Sequence, residues 1–129
     1  MSERTTPNEI IFVDKNHIAF LDTNPTNYGH ILVVPKKHTD FLFNLNEKEY
    51  ISLLKIARKI ALHLGKILKS KHIYLFVKGR QIKHVHIHLI PINRRNDAGH
   101  LPRRKINSEK IVRIGTILRN SMKSKLFLS

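Results

Sequence analysis

The chain has no cysteine, so neither a disulfide nor a thiolate metal site can be part of it. It has no tryptophan, and its five glycines and five prolines in 129 residues are too few for a fibrous or low-complexity chain. No apolar run approaches the ~20 residues that a membrane-spanning helix needs. The opening stretch Met1-Ser2-Glu3-Arg4-Thr5-Thr6-Pro7 lacks the apolar core of a secretory signal. These absences predict a chain that engages no membrane and works in a reducing cytoplasm. Acidic residues are scarce as well: nine Asp plus Glu stand against 24 Lys plus Arg, a formal net charge of +15. A field of that sign attracts nucleotides, nucleic acid or other polyanions without naming one.

What remains is an ordinary globular composition, 41% hydrophobic and 26% charged, long enough for one domain with one core. Residues 9–13 and 17–21 read as strands joined by a turn at Asp14-Lys15-Asn16. A loop dense in turn formers runs from Asp22 to Gly29, and 30–35 is a short apolar strand ended by Pro35. Asn46 and Glu49 have the spacing of a capping box. Behind them Ile51, Leu54, Ala57, Ala61, Leu64 and Leu68 predict a helical stripe running to about Lys69. Two more strands, 73–77 and 82–91, flank a turn at Lys78-Gly79-Arg80. A basic loop from Asn93 to Asn107 then leads to a short helix capped by Ser108, with Ile111, Ile114, Leu118 and Met122 on one face. The expected architecture is α+β: a meander of about five antiparallel strands with one long helix and a short C-terminal helix.

The densest chemistry is His84-Val85-His86-Ile87-His88, followed by Leu89-Ile90-Pro91. In an extended strand alternate side chains share a face, so the three imidazoles face one way and the apolar residues the other. With nine histidines in the chain, chance alone gives such a run, with apolar residues between, in roughly 1 of 100 chains. Three readings follow. Two imidazoles at this spacing can share a zinc ion, but the outer pair stand ~13 Å apart at the backbone and no carboxylate or thiol completes the set. The histidines can also be structural, on a face that meets nucleic acid. The third reading is nucleophilic catalysis at phosphorus. A neutral imidazole is a competent nucleophile near pH 7, and His86 would attack while His84 and His88 donate to phosphoryl oxygens or the leaving group.

The run His84-Val85-His86-Ile87-His88-Leu89-Ile90 resembles the signature of the histidine triad (HIT) superfamily of nucleotide hydrolases and transferases. A second segment agrees. The stretch from Phe20 through Asp22, Pro25, Gly29 and His30 to Pro35-Lys36-Lys37-His38 is similar to that family's Asp-x-x-Pro…Gly-His-x-Leu-Val-x-Pro-Lys-x-His. The resemblance implies a single HIT domain over 1–129, with its core at about 9–122 and a basic tail at 123–129. It implies that His86 is the nucleophile, forming a nucleotidyl-phosphohistidine on the α-phosphorus of a purine nucleoside phosphoramidate or dinucleoside polyphosphate. His84, His88 and His30 would complete the catalytic group. Asp22 would accept the ribose hydroxyls, Phe20 line the base pocket, and Gln81 contact phosphate.

The resemblance further implies a homodimer and no metal or cofactor, apart from Mg²⁺ where a polyphosphate brings it. Departures from the family pattern are Arg80 in its glutamine position, a shortened hairpin before the triad, and neither a tryptophan-bearing C-terminal segment nor an N-terminal Cys-x-x-Cys. They leave the substrate branch open. Two other classes stay open beside it: a catalytically weak nucleotide- or nucleic-acid-binding module, and a zinc-dependent hydrolase. His38 is expected to be structural or at the surface, and His17, His63, His72 and His100 to be structural.

Overall fold

The computed structural model of the chain describes residues 10–23, 25–77, 84–92 and 107–123. Strands β1 (Ile10–Val13), β2 (His17–Leu21), β3 (Ile31–Pro35), β4 (His72–Val77) and β5 (Ile87–Ile92) form one sheet. Helix α1 (Glu47–Leu68) joins β3 to β4, and α2 (Ser108–Ser121) comes last. Every pairing is antiparallel, as the α+β expectation requires. The strand order is β1-β2-β3-β5-β4, so only the first three strands form a meander and β5 inserts beside β3. A helix of 22 residues, about 33 Å long, carries the chain past the vacant position beside β3, and the β4–β5 pair fills it on the way back.

The core lies between one sheet face and the helices. Ala19, Leu21, Ile31, Val33, Val85, Ile87 and Leu89 pack there against Leu53, Ala57, Ile60 and Leu64 of α1 and Leu118 of α2. The buried side of α1 is Leu53, Ile56, Ala57, Ile60 and Leu64, rotated from the expected stripe. Leu54, Ala61 and Leu68 only border the core, and Ile51 is 43% exposed. Both stripes obey three- and four-residue spacing, because apolar residues cover more than one side of this helix. The sheet decides between them.

The helix starts where expected. Glu49 N–H donates to the Asn46 side chain at 2.8 Å, and Asn46 N–H donates to Glu49 Oε1 at 3.0 Å. Such a cap contributes about 1 kcal/mol. On α2 the cap falls one residue before the expected Ser108: Lys110 N–H donates to Asn107 Oδ1 at 3.1 Å. The turn at 78–80, the loop at 93–106 and the tail from 124 lie outside the described residues. No helix among the described residues is long and apolar enough to cross a membrane.

His63 ties the two helices together, with Nε2 2.7 Å from Ser121 Oγ. Burial, and after it the charge of Lys66, holds this imidazole below its ordinary value of 6.5. The unfolded chain therefore binds the proton more readily than the folded one. The contribution is full above the unfolded value and is lost as pH falls through the folded one. His63→Gln should flatten the fall in Tm between about pH 7 and pH 5. An unchanged slope would remove His63 from that titration.

Candidate active site

Residues paired directly across antiparallel strands share a face. Phe20 pairs with Leu32, Leu32 with His88, and His88 with Phe76, which makes one row across four strands. That row lies on the face turned away from α1. Phe20, Leu32 and Val34 form a small buried cluster there, with Ile18 packed against it. Phe20 thus stands on the same face as His88, two strands away. The three histidines are not all within a strand, because β5 begins at Ile87. His84 and His86 belong to the segment that leads into it, which is anchored by Val85 N–H donating to Thr39 O at 2.7 Å. The alternation survives: Val85, Ile87 and Leu89 are buried in the core, at 1%, 0% and 0% exposure.

Hydrogen bonds to backbone groups assign the protons on the rings, since a carbonyl only accepts and an N–H only donates. His86 Nδ1 lies 2.9 Å from the His84 carbonyl, so Nδ1 carries the hydrogen and Nε2 keeps the lone pair. Thr26 N–H donates to His30 Nδ1 at 3.0 Å, so the neutral His30 ring carries its hydrogen on Nε2. That Nε2 lies 2.9 Å from His88 Nδ1 and donates to it, which leaves His88 with its hydrogen on the buried Nε2. The His86 and His88 rings meet edge to face, with centroids 4.7 Å apart.

His84 is turned elsewhere. Its Nε2 donates to Pro35 O at 2.7 Å, and its Nδ1 lies 3.2 Å from His38 Nδ1. His84 meets His86 through its carbonyl, which orients that ring. His38 is the ring that holds His84 in place. The three rings of the triad therefore do not converge on one point, as a shared zinc ion would need. The groups that do converge are Asp22, His30 and His88, with ligand atoms within 4.8 Å of one another. Asp22 Oδ2 is 3.4 Å from His30 Nε2. The 2.9 Å separation of the His30 and His88 nitrogens is that of a hydrogen bond. A metal bound ~2.0–2.1 Å from both would have to break that bond.

Asp22 follows β2 directly, and its N–H donates to His30 O at 3.0 Å, closing the loop between them. Two residues that shape this loop are not evident as site residues in the sequence. Thr26 sets the His30 tautomer through its backbone. Asn27, 4% exposed, donates from Nδ2 to Pro91 O at 2.9 Å and accepts Tyr28 N–H on Oδ1 at 2.9 Å. It ties the His30 loop to the strand that carries His88. The only signal for it in the sequence is an amide inside a turn-forming run. Gln81 lies outside the described residues.

A family profile described as "HIT domain" matches residues 3–95. An uncharacterized HIT-like protein of Borreliella burgdorferi is 34% identical over 110 residues, covering 80% of this chain and 79% of that one. An adenosine 5'-monophosphoramidase of Schizosaccharomyces pombe is 33% identical over 78 residues, 57% of this chain and 56% of its own. Among solved structures, a hypothetical histidine triad nucleotide-binding protein of Sulfolobus tokodaii superposes with a TM-score of 0.74 at 26% identity. It covers 89% of this chain and 83% of its own.

Proposed function

The chain belongs to the HIT domain family, and from that premise we propose that it cleaves a nucleotide at its α-phosphate through a phosphohistidine on His86. One observation carries the reading: the bond from His86 Nδ1 to the His84 carbonyl leaves the nucleophilic lone pair on Nε2. In the first step Nε2 displaces the leaving group at phosphorus, and in the second water displaces His86. One hard substitution becomes two easier ones. His88, whose ring packs edge to face on that of His86, donates through Nε2–H to the atom on which charge accumulates. The His30–His88 bond holds this donor in its tautomer, so His30 acts through His88. His86 is only 2% exposed, so the ring has to become accessible before Nε2 can attack.

The leaving group is an amine or a nucleotide, as in a purine nucleoside phosphoramidate or a dinucleoside polyphosphate. The relationship to a phosphoramidase supports the amine. Mg²⁺ enters only with a polyphosphate. Phe20, on the same face as His88, would line the base pocket, and Gln81 would contact the phosphate. Asp22, whose carboxylate lies 3.4 Å from His30 Nε2, would accept the ribose hydroxyls. Asp22→Asn should raise KM for a ribonucleotide substrate about tenfold, and for the 2'-deoxy analogue far less. Equal effects on both would refute the ribose role.

The edge strand β4 exposes Leu75 (48%) and Val77 (39%), and α1 exposes Leu62 (60%). These exposed apolar side chains support a homodimer formed across β4 and α1. Sedimentation should then give twice the 15.1 kDa chain mass, and Leu75→Lys should return the monomer mass. A wild-type chain that sediments as a monomer would exclude it. The charge of +15 fits an anionic substrate in this reading. A nucleic-acid-binding module would instead bind duplexes with a steep salt dependence.

A further inference from the structure

A second polar constellation lies on the other face of the sheet, where β2 begins. His17 is 5% exposed, and its Nδ1 lies 3.0 and 3.1 Å from the two carboxylate oxygens of Asp14. Its Nε2 lies 3.2 Å from the hydroxyl of Ser52 on α1. A carboxylate only accepts, so Nδ1 carries the hydrogen and Nε2 receives the serine hydroxyl's. Asp14 is fixed in turn by the N–H groups of Asn16 at 2.8 Å and His17 at 2.7 Å. Burial pushes its carboxyl up, but the bonds from the His17 ring and from Asn16 outweigh this and hold it below its usual range. Capping the β1–β2 turn accounts for Asp14 and its backbone bonds. It does not account for a buried imidazole that reaches a serine on another element.

That serine stands at open space. Two cavities, of about 740 and 170 Å³, are both lined by His17, Ser52 and Lys48. Lys48 and Lys55, four residues before Ser52 and three after it, lie on the same side of α1 as Ser52. Ile51 and Ile56 add apolar surface to the wider cavity.

We propose that Ser52, His17 and Asp14 form a second nucleophilic site, separate from His86, that hydrolyses small anionic carboxylic esters. Ser52 Oγ adds to the ester carbonyl carbon as its proton passes to His17 Nε2. The tetrahedral adduct collapses, the C–O bond to the alcohol breaks, and the alcohol leaves with the proton from Nε2. Water, deprotonated by the same Nε2, then cleaves the acyl-serine, releasing the carboxylate and restoring the hydroxyl. Lys48 and Lys55 stabilise the oxyanion and select an anionic acyl group. Asp14 is a positioning residue, holding the imidazole in the tautomer that the base needs.

The test is covalent labelling of the full chain with a fluorophosphonate, read by intact mass and peptide mapping. One label per chain should appear on Ser52 and none on the Ser52→Ala protein. Ser52→Ala should also lower hydrolysis of a nitrophenyl hemisuccinate by at least about 100-fold. Ser52 is only half-buried, and matching circular dichroism will establish that the variant is folded. Asp14→Asn should lower kcat while KM stays within about twofold. No label, a label confined to another residue, or ester hydrolysis indifferent to Ser52→Ala each overturns the proposal. A change in KM alone on Asp14→Asn removes the positioning role.

Discussion

Replacing His86 by Ala or Asn should lower turnover of an adenosine phosphoramidate by at least about 10³-fold, while nucleotide affinity stays within about threefold. Such an asymmetry is expected because the imidazole forms a bond to phosphorus only as the reaction proceeds, so its loss falls on the transition state. The Asn variant is the sharper of the two. Its amide can still donate to the His84 carbonyl, where His86 Nδ1 lies at 2.9 Å, so the backbone keeps its partner while the nucleophile is gone. Single-turnover kinetics and a search for the nucleotidyl-histidine after an alkaline denaturing quench, since its P–N bond is lost in acid, would complete the measurement. More than ~1% residual activity in either variant would mean that another group, or water directly, attacks the phosphorus. In that case the tautomer assigned to His86 would have no chemical consequence.

What could be read from the sequence follows the range of the interactions involved. The alternation of His84, His86 and His88 with Val85, Ile87 and Leu89 is a period-two signal, and it correctly sends the three apolar side chains into the core. The capping box of Asn46 and Glu49 is equally local and is found as expected. Legibility fails where two distant segments decide. The rotation of α1 is set by the sheet beneath it, since Ile51 and Leu53 serve a three- and four-residue pattern equally well. The insertion of β5 beside β3 depends on where a 22-residue helix delivers the chain. Within the site, spacing brings His84 and His88 to either side of His86. The structure gives the His84 ring to Pro35 and His38 instead, residues more than forty positions away. Thr26, which sets the His30 tautomer, contributes through its backbone N–H, and any residue but proline supplies that group. Its side chain therefore carries no signal.

Gly29→Ala should cost about 3 kcal/mol and lower Tm by about 10 °C. Gly29 has φ +83°, in the left-handed region that a residue with a Cβ enters at ~1–2 kcal/mol. An added Cβ would also fall on Leu68 Cδ1 and come within 3.2 Å of Pro91 Cγ. Leu68 Cδ1 is the tip of a half-buried side chain that has to turn aside, whereas Pro91 Cγ belongs to a rigid ring on β5 that has little room to give. The two costs are separable. Leu68→Ala in the Gly29→Ala background removes the overlap and leaves the backbone strain, so it should recover part of the loss. The consequence reaches the chemistry because Gly29 immediately precedes His30, and the loop it closes holds His30 against His88. The folded fraction of Gly29→Ala should therefore show a lower kcat as well as a lower midpoint in urea. A variant as stable as the wild type would mean that the loop has room to move aside. The frame that holds the His30–His88 pair would then be softer than its bonds to Thr26 and Pro91 imply.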